Sequence, residues 1–141
     1  MKLTIQQITL VRNNFRHLAP VRVDALQEVY KRFAAMAPEF DGQYHTSLND
    51  RGRTLESIIE LSLLSLDHPG ALFATLHNLG REYANYGSWK DTYDLISELI
   101  IDVFAEHTGD AWTVEHAHAW RTVLHFIAKG MLEGAKSRAV A

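Results

Sequence analysis

The side chains that could do chemistry in this chain are of three kinds: eight histidines, five tyrosines and a set of arginines that includes Arg51. A histidine can ligate a metal or carry a proton near neutrality. A tyrosine, whose phenol titrates near about pH 10, becomes a hard anionic oxygen donor only where a cation favours the phenolate. An arginine presents a rigid fork of donors to an anion. The histidines do not form a chelating set. His116 and His118 are two apart, so a helix turns them to nearly opposite sides, whereas a chelating pair needs a spacing of three or four. His125 falls on the last helix, facing either its core or its edge, and His77 is alone on its own. With no cysteine, disulfides, thiolate metal sites and cysteine nucleophiles are excluded. There is no HExxH, no glycine-rich phosphate loop and no GxSxG.

Length and composition bound the setting for those residues. The 141 residues fit a single domain, 1–141, long enough to bury a core without covalent staples. Hydrophobic residues at 47% and charged residues at 22% describe a globule rather than a disordered chain. A formal net charge of −3 argues against nucleic acid as a partner. The start, MKLTIQQITLV, lacks the apolar block of a signal peptide, and Ile58 to Leu66, broken by Glu60 and two serines, is too short to span a bilayer. The expectation is a cytoplasmic protein with no membrane partner.

The elements that must position the chemistry are helical nearly throughout, because apolar residues recur at helical spacing and no segment alternates as a strand does. Thr4 with Gln7 forms a capping box, and Ile5, Ile8, Val11, Phe15 and Leu18 then make one stripe, predicting a helix over about 4–18. Pro20 suits the first turn of the next helix, whose face carries Val23, Leu26, Val29, Tyr30, Phe33 and Met36 and which ends or bends at Ala37-Pro38. A loop or short turns follow from Glu39 to Asn49. Leu48 to Leu66 reads as a third helix with Leu55, Ile58, Ile59, Leu63 and Leu66 inward, and Asp67-His68-Pro69-Gly70 breaks it. Ala71 to Tyr86 and Trp89 to His107 are the next two helices, the second with Tyr93, Ile96, Leu99, Ile100, Val103 and Phe104 on one face and a stop at Gly109. Thr113 caps a last helix with Ala117, Trp120, Val123, Leu124, Ile127 and Met131 inward, and the tail after Gly134 is expected to fray.

Several of these residues stand at joint spacings that resemble the globin family, most of all bacterial single-domain globins and the globin half of flavohaemoglobins. Phe33 followed by Ala37-Pro38-Glu39 is similar to the end of the second globin helix, and Arg51-Gly52-Arg53-Thr54-Leu55 to the start of the distal helix. Leu76-x-x-Leu79-Gly80 and Tyr86-Gly87 flank the proximal position, with Tyr93 at the family spacing; Gly109, Trp112-Thr113 and Ala119-Trp120 are similar to the last turn and final helix. The resemblance runs from about Thr4 to Ala135 and implies an all-α globin-like fold of about six long helices plus short turns, packed around a haem.

The resemblance also implies roles. The proximal iron ligand, a histidine in the family, falls on Tyr83 within LGREYANYG. The aromatic lying against the haem falls on Tyr44, a phenylalanine in the family. The distal position often held by histidine or glutamine falls on Arg51, and the distal tyrosine that bonds a gas ligand is retained as Tyr30. His45 lies near the distal mouth, within reach of a propionate or of iron. His77, six residues before Tyr83, is the alternative ligand if the haem shifts. A phenolate binds ferric iron well and ferrous iron poorly, and tyrosine is a known axial ligand in catalase-type haem proteins. Two readings follow. In one, haem is held by Tyr83 and serves ferric ligand or redox chemistry, or gas or redox sensing, rather than oxygen storage, with a small ligand at the iron. In the other, the chain is a haem-free globin working as a regulatory, sensor or protein-interaction module, or binding another apolar ligand. A homodimer through the last two helices is a plausible assembly under either.

Overall fold

In a computed structural model, residues 1–38, 47–82 and 90–140 of the chain are described, with side chains to Ser137. Those residues form six α-helices and no strand: α1 (Ile5–His17), α2 (Arg22–Met36), α3 (Leu48–Leu64), α4 (Pro69–Glu82), α5 (Lys90–Thr108) and α6 (Val114–Val140), with a 3-10 turn, Gly109–Ala111, between α5 and α6.

Local chemistry sets most of the boundaries. The Thr4 hydroxyl accepts from the Gln7 amide (3.1 Å) while the Thr4 amide donates to the Gln7 side chain (2.9 Å), completing the expected capping box. Ser47 caps α3 by accepting from the amide of Asp50. α4 begins two residues earlier than expected, on Pro69 itself, since a proline at the first helical position loses no hydrogen bond. Gly109 ends α5 at φ +73°, a backbone conformation open to glycine without steric cost.

The core runs through all six helices and centres on Leu26, Phe33, Ile59, Leu72, Leu76, Ile100, Phe104 and Trp120. Two expected stripe members are outside it: Ile5 is 82% and Met36 62% exposed, the first residue of α1 and the last of α2, where no neighbour covers the helix end. α6 also departs from expectation. It continues as helix past Gly134 to Val140, because Gly134 is buried against α4 rather than ending the helix.

One polar chain crosses the core. The Trp120 indole N–H donates to the Asn14 carbonyl oxygen (2.9 Å), the Asn14 amide donates to Thr108 Oγ1 (2.9 Å), and that hydroxyl donates to the Phe104 carbonyl (2.7 Å). The chain joins α1, α5 and α6, and the Trp120 ring packs edge-on against Phe104 at 5.1 Å. Arg12 donates through Nε to the Leu63 carbonyl (2.8 Å), capping the end of α3 from α1. Arg22 donates to the Phe15 carbonyl and pairs with Glu56 (3.0 Å) while its guanidinium lies 4.0 Å over the Phe15 ring. Arg121 forks onto Glu98, tying α6 to α5 and holding the Glu98 carboxyl below its ordinary range.

Replacing Asn14 by alanine leaves the indole N–H of Trp120 buried without an acceptor, so Asn14→Ala is expected to cost about 1–3 kcal/mol in urea unfolding. At the start of α6, His116 Nδ1 takes the Thr113 amide (3.1 Å) and the His116 amide donates to Thr113 Oγ1 (3.3 Å), a capping box closed by a histidine. Burial lowers the affinity of this ring for a proton below the ordinary value of 6.5. The unfolded chain therefore takes up the proton first, so stability is full above pH 6.5 and falls as the solution is acidified below it. In His116→Gln, which keeps the box without the titrating ring, the loss of stability between neutral and acid pH should be smaller, as read by thermal unfolding.

Candidate functional site

Tyr30 and Arg51 are 21 residues apart in the chain and meet where α3 starts across α2. The Arg51 guanidinium carbon lies 5.6 Å from the centre of the Tyr30 ring, and both side chains are half-buried. A cation over an aromatic face is attracted by the negative face of the ring, and the attraction grows as water is excluded. The pairing holds the guanidinium in place while leaving its fork geometry suited to an anion.

The approach of α3 to α2 depends on Gly52, the residue after Arg51. A methyl group added there would lie 3.1 Å from Gln27 Cγ and 3.2 Å from the Val23 carbonyl oxygen, tighter than ordinary carbon contacts. Gln27 in turn donates to Asn49 (3.1 Å), pinning the first turn of α3 to α2. The Ser47 cap and the Arg51 amide bond to the Ser47 carbonyl (3.0 Å) fix that turn from the other side. The Arg51–Tyr30 pair is thus held by a short helix crossing, a cap and a side-chain clamp.

α4 makes its extended packing with α6, while α3 packs on α2 and α1; the described residues show no comparable packing of α3 on α4. His77 is half-buried on α4, and its backbone lies against Gly134 of α6. Tyr83, Tyr44 and His45 lie outside the described residues, so the structure brings together Tyr30 and Arg51 from the expected set and locates His77 on a different helix, α4.

Among the other histidines, His116 is committed to the cap of α6 and stacks on Trp112 at 5.2 Å, and His125 and His118 are exposed. No group of three or more metal-ligating side chains is found among the described residues. A surface groove of about 430 Å3 lies between α2 and the end of α5, but its charges answer one another: Arg32 bridges Glu28 (3.4 Å) and Glu106 (2.6 Å). It reads as a solvated ionic face. No described helix is long and apolar enough to cross a membrane.

Sequence reasoning did not single out Gly130, and it took Gly134 for the end of the ordered helix rather than for a contact with α4. Their spacing of four on one helix face, within an apolar stripe, is the signal that could have marked them. It also passed over Asn14, a polar residue in register with Val11 and Leu18 on the buried stripe of α1.

A family model described as Globin matches residues 22–131. No curated protein matches the chain. Among solved structures, the chain is similar to a hexacoordinated heme protein from an anhydrobiotic tardigrade, with a TM-score of 0.82 and 11% identity over 95% of this chain and 96% of that one. It is also similar to a flavohemoglobin from Malassezia yamatoensis with bound FAD and heme, with a TM-score of 0.81 and 19% identity over 98% of this chain. This chain spans 38% of the length of that flavohemoglobin. At these identities the likeness is one of fold.

Because Gly52 sets the distance between the two helices, Gly52→Val should spread α2 from α3 and loosen the Arg51–Tyr30 contact. The expected readout is a change in tyrosine fluorescence and near-ultraviolet dichroism, with a loss of about 1–3 kcal/mol from overpacking.

Proposed function

The chain belongs to the globin family, and from that premise we propose that it binds haem between α3 and α4, with Tyr83 as the proximal iron ligand and Tyr30 and Arg51 lining the distal side. What supports the reading is the family and two features of the described residues: α3 packs on α2 while α4 packs on α6, and the α2–α3 side carries a phenol and a guanidinium that suit an anionic group. The single observation that carries the reading is the Arg51–Tyr30 pair at 5.6 Å, two positions the family assigns to the distal pocket, brought together by the α2–α3 crossing.

Haem held through a phenolate rests in the ferric state and supplies chemistry with anionic ligands and peroxide rather than reversible dioxygen binding. Around it, this chain's residues have distinct tasks. Arg51 supplies positive charge and donors to an anion entering from the distal side. The Tyr30 hydroxyl supplies one more donor, and its ring holds the guanidinium in position. The function that follows is ferric ligand or redox chemistry, or sensing of such ligands, not oxygen storage. A second reading, a haem-free globin acting as a regulatory, sensor or interaction module, is supported by the resemblance itself, in which the family's iron-binding histidine position falls on Tyr83.

Titration of the purified protein with haemin separates the two. The expected result is saturable binding, with a ferric high-spin spectrum and a phenolate charge-transfer band that Tyr83→Phe abolishes. In Arg51→Leu, azide affinity for the loaded protein should fall about tenfold, the scale of one charge-assisted hydrogen bond. Equal haemin binding by the parent and Tyr83→Phe would turn attention to His77 or His45 as ligand. No saturable binding by either would leave the haem-free reading.

A further inference from the structure

We infer that Gly80 and Gly134 form a backbone-to-backbone seam that positions α4, and with it the proximal side of the proposed site, at the place a bound haem requires. The inference rests on the proposed haem reading and names what sets the geometry of that site.

Side chains ordinarily hold packed helix axes about 8–10 Å apart. Here α4 and α6 meet without them. A methyl group added at Gly134 would overlap the carbonyl oxygen of His77 and lie 2.7 Å from its carbonyl carbon. One added at Gly80 would overlap the carbonyl oxygen of Met131 and lie 2.6 Å from its carbonyl carbon. The two contacts are reciprocal: a glycine of each helix receives the main chain of the other. Gly130 continues the seam one turn earlier, where a methyl group would meet Leu76 Cβ at 2.8 Å. The contacts of Gly80 and Gly134 are with backbone, so no rotamer change relieves them. Carbon atoms rest at about 3.5–4.0 Å, so a methyl group at Gly134 or Gly80 would part the helices by about 1 Å.

α4 is the helix that would move. α6 is also held by α1 and α5, through the Trp120–Asn14–Thr108 chain and the Arg121–Glu98 fork, while among the described residues the extended packing of α4 is on α6. Tyr83 follows directly on Glu82, the last described residue of α4, so a shift of this helix end is passed to the proposed ligand. Metal–ligand bonds accept only about 0.2 Å of misplacement. A displacement of about 1 Å exceeds that several-fold. Gly80 and Gly134 are thus positioning residues, acting through α4 without touching the group themselves.

The test uses the full chain and two readouts. The chain has no cysteine, so spin labels can be placed cleanly at Asn78 on α4 and Glu60 on α3, both exposed, with a Glu60–Asp102 pair as the reference between α3 and α5. In the haem-free protein, Gly134→Ala should shift the α4–α3 distance by about 1 Å and leave the reference pair unchanged. Gly130→Ala, which meets a side chain, should shift it less. Gly70→Ala, where a methyl group meets nothing within 4 Å, should not shift it at all. With haemin, Gly134→Ala should bind at least tenfold more weakly and lose or displace the ferric charge-transfer band, while Gly70→Ala matches the parent. If Gly134→Ala does not fold, Gly130→Ala carries both readouts. An unchanged α4–α3 distance overturns the seam. A changed distance with unaltered haemin affinity and spectrum overturns its positioning role. If the parent binds no haemin, the proposed function and the positioning role fall together, and the distance measurements alone still decide whether the seam places α4.

Discussion

Where two helices are held apart by side chains, each can slide or rock by small rotamer adjustments; where their backbones meet, neither can. The contact of α4 with α6 is of the second kind, with Gly80 against Met131 and Gly134 against His77. Main chain is rigid and identical at every position, so this contact fixes both the separation and the register of the pair. α4 has its extended packing here, α3 takes its place from α2 through Gly52, and what lies between α3 and α4 is whatever these two independent crossings leave.

The scaffold behind the seam is stiffened by polar groups as well as by apolar burial. Leu, Ile, Val and Phe side chains supply the driving force, but apolar contact has no direction and tolerates many arrangements. The Trp120–Asn14–Thr108 chain is directional: each member has a particular partner, and a slipped helix would strand a buried donor. Arg12 on the Leu63 carbonyl and Arg22 between Phe15 and Glu56 do the same for the α1–α3 and α1–α2 junctions, at the half-buried rim where a guanidinium can keep part of its hydration.

The chemistry of the proposed site follows from which residue types those crossings bring together. On the proposed reading, the guanidinium lying over the Tyr30 ring gives the distal side a positive charge that suits an anion better than a neutral diatomic gas. A tyrosine at the family's iron-binding position carries the same preference on the proposed reading, since a phenolate favours the ferric state and ferric iron favours anionic ligands. Departures from the family at Arg51 and at Tyr83 therefore point in one chemical direction, although they belong to different helical segments.

Helix existence, type and most boundaries were legible in the sequence because their causes are local. The Thr4–Gln7 box, the stop at Gly109 and the 3.6-residue stripes of α3, α5 and α6 each involve residues within one or two turns of each other. Tyr30 and Arg51 were legible as a pair only through resemblance to a family, since nothing local joins residues 21 apart. Tyr83, Tyr44 and His45 were named on the same resemblance, and they lie outside the described residues. Ile5 and Met36 looked like core because periodicity marks a helix face but not how far a neighbour extends along it. Gly134 looked like a helix end because glycine weakens a helix, and only a second helix arriving at that point makes its missing side chain an asset. By itself the sequence determined an all-α chain, its helices and the chemical types available to a site. The tertiary structure alone decided which backbones touch, that Asn14 serves the core, and that α4 leans on α6 rather than on α3. Those outcomes depend on the fit of surfaces distant in the chain, and a glycine leaves no side chain in the pattern to announce where that fit will be closest.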